Sequence, residues 1–67
     1  MNLKVLQTFE QGLKAAQGGT FKAYAGSQLP ATAGENGALV VTVDGRPRTL
    51  SADLVEKITG LGLAELA

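Results

Sequence analysis

Two dipeptides, Asn36-Gly37 and Asp44-Gly45, bracket the segment ALVVTV, Ala38 to Val43, and restrict the fold more than any other feature of the chain. Both accept positive φ at two successive positions, as a two-residue type I′ hairpin turn demands. Together they predict an antiparallel meander with strands over 29–34, 38–43 and 46–50.

A two-residue turn also fixes register. Around Asp44-Gly45 it pairs Val43 with Arg46, Thr42 with Pro47, Val41 with Arg48 and Leu39 with Leu50. Around Asn36-Gly37 it pairs Glu35 with Ala38, Ala33 with Val40, Ala31 with Thr42 and Pro30 with Val43. Pairs flanking such a turn are hydrogen-bonded and the pair types alternate outward, so Pro30 and Pro47 both fall in non-hydrogen-bonded pairs. The missing N–H of each then points away from the central strand, and both outer strands become poor templates for further pairing.

In this register one face carries Leu39, Val41, Val43 and Leu50 with Arg46 and Arg48, while the other carries Leu29, Ala31, Ala33, Ala38, Val40, Thr42 and Thr49. The central strand is apolar on both sides and needs two covers. An open face of this kind predicts self-association, with Leu39, Val40, Val41 and Val43 as the interface between copies.

The flanks supply the covers. Leu3, Leu6, Phe9, Leu13 and Ala16 recur at helical spacing, so a helix is expected over 3–17, capped by Asn2 and stopped by Gly18-Gly19. Gly12 is a defect in it. From Thr20 the period shortens to two, with Phe21, Ala23 and Ala25 alternating against Lys22 and Tyr24, which predicts a strand over 20–25. After the meander, Ser51 as N-cap, Asp53 in the first turn and the stripe Leu54, Val55, Ile58 and Leu61 predict a helix over 52–59, with Gly60 at its C-terminal stop.

The expected fold is α+β, a single small domain over 1–67 with an N-terminal helix, an antiparallel β-meander of three to four strands with two tight hairpins, and a short C-terminal helix. An alternative layout makes Ser51 to Asp53 a 3₁₀ turn and Leu54 to Ile58 a last strand. With its N-terminal helix that layout resembles an SH3-like or Sm-like small β-barrel.

At 67 residues the chain buries only roughly 60% of the surface its unfolded form exposes. With no cysteine and no histidine it has neither a disulfide nor a zinc site to support so thin a core, which again favours a homo-oligomer. The same absence removes the thiolate nucleophile, the imidazole base and the commonest metal ligands, and the acids Glu10, Glu35, Asp44, Asp53, Glu56 and Glu65 are scattered along the chain. No enzyme, catalytic residue, metal or cofactor is expected. Ser51 is accounted for as a cap and Ser27 as a turn residue.

Six basic and six acidic residues cancel, which removes the long-range field of a dedicated nucleic-acid binder. The glycines show no GxxxxGK[ST] or GxGxxG spacing. Charges interrupt the apolar residues of the N-terminus, and the longest apolar run, Ala38 to Val41, falls far short of the ~20 residues a membrane span needs. A cytoplasmic chain with no membrane partner is expected, in keeping with the absence of cysteine.

The remaining candidates for a site are cationic. Arg46 and Arg48 alternate onto one strand face with roughly 6–7 Å between their backbone anchors, near enough to converge on one phosphate or carboxylate. Lys22 and Tyr24 share a face of the preceding strand and extend the patch if that strand docks nearby. The alternative is that the arginine stems cover valine while their heads reach water. Two functions follow. The first is a non-catalytic interaction module, an adaptor, inhibitor or structural subunit that self-associates and binds a protein partner. The second is a nucleotide- or nucleic-acid-binding protein that holds phosphate with Arg46 and Arg48.

Overall fold

The computed structural model describes residues 1–12 and 19–67. Among these are seven strands, one α-helix and a 3₁₀ turn over Glu35–Gly37: β1 Asn2–Val5, β2 Phe9–Gly12, β3 Thr20–Ala23, β4 Gln28–Ala33, β5 Leu39–Val43, β6 Arg46–Leu50, α1 Ala52–Gly60 and β7 Ala64–Leu66. Five strands form one antiparallel sheet in the order β6-β5-β4-β1-β7, and β2 and β3 pair as a second, two-stranded sheet.

The N-terminal helix expected over 3–17 does not form; its first ten residues make β1, a short connection and β2, and residues 13–17 lie outside the described residues. The apolar residues of this segment satisfy two periods at once. Leu3, Leu6 and Phe9 fit a helix, but Leu3 and Val5 also alternate against Asn2, Lys4 and Leu6. Short apolar runs are ambiguous in this way, and long-range partners decide. Here β1 lies between two strands, pairing Leu3 with Leu29 of β4 and with Leu66 of β7. Leu3 and Val5 are thereby fully buried while Leu6 faces out. Thr8 is used in the connection, where its hydroxyl accepts the Ala25 N–H at 3.0 Å.

The β5–β6 hairpin has the register that Asp44-Gly45 dictates, from Val43 opposite Arg46 to Leu39 opposite Leu50, with φ of 52° at Asp44 and 76° at Gly45. The connection from β4 to β5 departs from expectation by one residue. Asn36 and Gly37 do take positive φ, 54° and 82°, and the Ala38 N–H donates to the Glu35 carbonyl as in a type I′ turn. The Gly34 N–H, however, donates to the Ala38 carbonyl at 2.9 Å, so Gly34 and Glu35 together oppose Ala38 and Glu35 is the extra residue of a bulge. Beyond it Ala33 faces Leu39, Thr32 faces Val40 and Ala31 faces Val41.

A slip of one residue exchanges the two faces of a strand. Ala31 is therefore buried beneath Val41, whereas Thr32 and Pro30 turn to solvent. The sheet face expected to be open and apolar instead carries the exposed Pro30, Thr32 and Thr42 around a half-buried Val40.

Pro30 is also placed differently. Strand β4 is interior, pairing through residues 28–30 with β1 and through 31–33 with β5. The Ala31 N–H donates to the Met1 carbonyl, on the β1 side, and the Gly34 N–H to Ala38, on the β5 side. By alternation the absent N–H of Pro30 faces β5, and the ladder to β5 starts one residue later, at Ala31. A proline is tolerated inside the sheet because one neighbour is exchanged for another there. Pro47 does sit on an edge strand, with its nitrogen outward.

Helix α1 begins on Ser51, whose Oγ accepts the Leu54 N–H at 3.3 Å. It ends two residues later than Gly60 implies: the Leu63 N–H reaches the Ile58 carbonyl, the Gly62 N–H reaches Thr59, and Gly62 holds φ of 73°. That is a Schellman stop with Gly62 at C′. Leu61 accordingly leaves the apolar stripe and is exposed. The small-barrel alternative fails with the first layout, since 54–58 is helix and no helix precedes the sheet; the last strand is Ala64–Leu66.

The core collects Leu3 and Val5 of β1, Ala31, Leu39, Val41 and Leu50 of the meander, Ile58 of α1 and Ala64 of β7. The β2–β3 hairpin closes it with Phe9, Phe21 and Ala23, the two rings meeting tilted at 5.7 Å between centroids. This hairpin takes the covering role expected of the N-terminal helix. Burial of Phe21 alone contributes about 1.5–3 kcal/mol. No helix among the described residues is long and apolar enough to cross a membrane.

Candidate functional site

Strand alternation places Phe21 and Ala23 in the core and turns Lys22 outward, with Tyr24 exposed just beyond the end of β3. Lys22 Nζ lies 5.4 Å from the Tyr24 ring centroid, a cation–π contact that holds both side chains on the same side of the strand. Phe21 anchors β3 from below, so the position of Lys22 and Tyr24 follows from the core.

Facing β3 across a cleft of about 350 Å³ are Ser27 and Leu29 at the start of β4, Val43 and Asp44 at the end of β5, and Arg48 of β6. The cleft lies between the two sheets, and its size is at the lower end of the range typical of ligand sites, ~300–1,000 Å³. Leu29 and Val43 are half-buried and pack against the core, which gives the cleft an apolar floor. Among the described residues, its polar and charged lining residues are Thr20, Lys22, Tyr24, Ser27, Asp44 and Arg48.

Of the four cationic and aromatic candidates, the structure thus brings together Lys22, Tyr24 and Arg48. Arg46 lies on the same strand face as Arg48 but outside the cleft lining, exposed opposite Val43. Arg48 is half-buried opposite the fully buried Val41, so its stem covers valine as well as bordering the cleft. Of the residues assigned to an interface between copies, Leu39 and Val41 are interior, Val40 is half-buried on the outer face, and Val43 belongs to the cleft floor. Leu39 and Val41 share the core cluster with Phe9, Phe21 and Ala23 of the β2–β3 hairpin and Ile58 of α1.

Sequence reasoning did not single out Thr20, Ser27, Leu29 or Asp44 for this site. Asp44 already has a turn role and Leu29 a core role, and their approach to β3 depends on how the hairpin docks, for which no local signal exists. Among the described residues no three of histidine, cysteine, aspartate and glutamate gather as a metal-ligand set. The chain matches no known protein family, no curated protein and no solved structure.

Proposed function

We propose that the chain is a small non-catalytic interaction module that holds a segment of a partner protein in the cleft between β3 and the β4–β6 sheet. One observation carries this reading: Lys22, Tyr24 and Arg48 border a single cleft whose floor is apolar. A few placed polar groups over an apolar base suit recognition. Asp44 is the one carboxylate on the lining, and the chain has no histidine or cysteine to serve it as a proton partner, so the arrangement suits holding more than turnover. Leu39 and Val41 belong to the core while Val40 is half-buried on the outer face, and the cleft reading does not depend on self-association.

The test is selection of peptides by display against the purified chain, followed by amide chemical-shift mapping of the selected ligands. Shifts concentrated on Lys22, Tyr24, Leu29, Val43 and Arg48 are expected. Ligands that map to α1 or to the outer sheet face, or a selection that yields none, would sink the proposal.

A second reading, phosphate held by Arg46 and Arg48, draws on their shared face of β6, set by Val43 opposite Arg46 and Val41 opposite Arg48. It predicts nucleotide or oligonucleotide binding that weakens steeply with salt and is lost on Arg46→Ala. An Arg46→Ala chain that binds as before removes it.

A further inference from the structure

We infer that the occupant of the cleft is an extended acidic segment, added as a strand to the open edge of β3; this rests on the interaction-module reading above. Strand side chains alternate between faces, yet the five successive residues from Thr20 to Tyr24 all line the cleft. Phe21 and Ala23 point into the core and Thr20 and Lys22 point outward, so the strand borders the cleft along its whole length. Among the described residues β3 pairs with β2 alone, so every second backbone N–H and C=O of β3 faces away from β2, toward the cleft. An extended peptide satisfies such groups by strand addition, with affinity from the main chain and specificity from alternate side chains.

The far wall selects those side chains. Leu29 and Val43 offer an apolar seat, and a residue on either side of the one seated there lies on the opposite face of the added strand, toward Lys22 and Tyr24. Lys22 and Arg48 outnumber Asp44 on the lining, so a carboxylate is favoured over an ammonium. Glu10 lies directly across β2 from Lys22 but outside the lining, and the ligand carboxylate competes with it for the lysine. Strand β3 has four residues, so the added strand spans roughly 13 Å, about four residues of the partner.

A nucleic acid fits less well. One face of the Tyr24 ring is already covered by Lys22, the lining includes the acidic Asp44, and the chain has no net charge to draw a polyanion.

The experiment uses the full chain and two pools of capped hexapeptides that alternate any apolar residue with glutamate or with lysine. Retention on the immobilised chain is read by mass spectrometry. The glutamate pool is expected to be retained about tenfold more strongly than the lysine pool, a difference that shrinks with salt. N-methylation of alternate amides in the best peptide should abolish binding in one register and spare it in the other, as strand addition requires. Lys22→Glu, at an exposed position, should reverse the preference between the pools, with a small fall in melting temperature from the carboxylate set opposite Glu10. Lys22→Gln, without that repulsion, should level the two pools with the melting temperature little changed. Equal retention of the two pools, or indifference to N-methylation in both registers, overturns the acidic-strand inference while leaving a cleft that binds peptide. Failure of both pools, with display-selected peptides mapping elsewhere, removes both. An oligothymidylate that binds more tightly than the best glutamate peptide overturns the inference in favour of nucleic acid.

Discussion

The two turns that flank β5 have the same chemistry and different outcomes. At Asp44-Gly45 the dipeptide alone closes the hairpin, and the register counted from it holds for the whole length of β6. At Asn36-Gly37 the same left-handed pair forms, but Glu35 is extruded and β4 slides by one residue against β5. Turn chemistry therefore fixes the bend in both cases, and the side-chain faces in only one. Among the described residues β6 is an edge that pairs with β5 alone, so no second pairing competes with its turn there. Strand β4 has two neighbours, and pairing Leu29 with Leu3 of β1 while placing Ala31 under Val41 satisfies both. The bulge absorbs the mismatch.

The strongest test of this contrast exchanges the faces of β4. Ala31→Lys places a charge in the core at a cost of at least about 3 kcal/mol, against a total of roughly 5 kcal/mol for a domain this small. Thr32→Lys lies on the solvent face and should leave the melt within about 0.5 kcal/mol. Thermal melts of the two variants decide the register, and the opposite order of stabilities would restore the unbulged pairing.

The turns themselves should respond unequally to one methyl group. Gly37→Ala meets a left-handed backbone and also the Cβ of Ala52, 3.2 Å from the new atom, whereas a Cβ at Gly45 has open space around it. Gly45→Ala should cost about 1–2 kcal/mol from φ alone, and Gly37→Ala more than that. Denaturant midpoints compared at equal m-values would show it, and equal losses would mean that the contact with Ala52 yields freely.

Removal of Glu35 is the sharpest probe of the bulge. Without it Gly34 meets Ala38 directly across Asn36-Gly37, giving a plain two-residue turn with the observed β4 register intact. Stability should change by no more than about 1 kcal/mol, and amide exchange at Thr32 and Val40 should keep its protection. A collapse on deletion would show that Glu35 itself holds the strand in place.

Smallest in folding energy is Pro47→Thr, expected within about 0.5 kcal/mol. Its effect should appear instead in size-exclusion chromatography, because the new N–H joins that of Thr49 on the open edge of β6 and offers a template for pairing. An unchanged elution volume at high concentration would show that the exposed arginine at position 46 protects the edge by itself.

The parts legible from sequence are those set by local chemistry: the β5–β6 hairpin with its two left-handed residues, and the Ser51 cap of α1. What was not legible depends on partners far along the chain. Leu3 and Val5 become a strand because Leu29 and Leu66 flank them, and a helical spacing in the same residues carries no mark of that. The cleft divides in the same way. Lys22, Tyr24 and Arg48 stand out by alternation and charge, but Leu29 and Asp44 join them only through the docking of β3, and Arg46 falls outside for the same reason.

Strand β1 also pairs with β7, down to reciprocal 2.9 Å hydrogen bonds between Asn2 and Ala67. That contact closes a loop of nearly the whole chain, the largest entropic penalty any pairing here carries before it is rewarded, whereas the β5–β6 hairpin closes almost none. Folding should then begin at the hairpin and be limited by the arrival of β7. A short flexible linker from residue 67 to residue 1, with new termini opened at Gly45, would reverse that order: the slowest pairing becomes a local hairpin, and the meander becomes the distant event. The native contacts away from the new termini would be the same, reached by a different route.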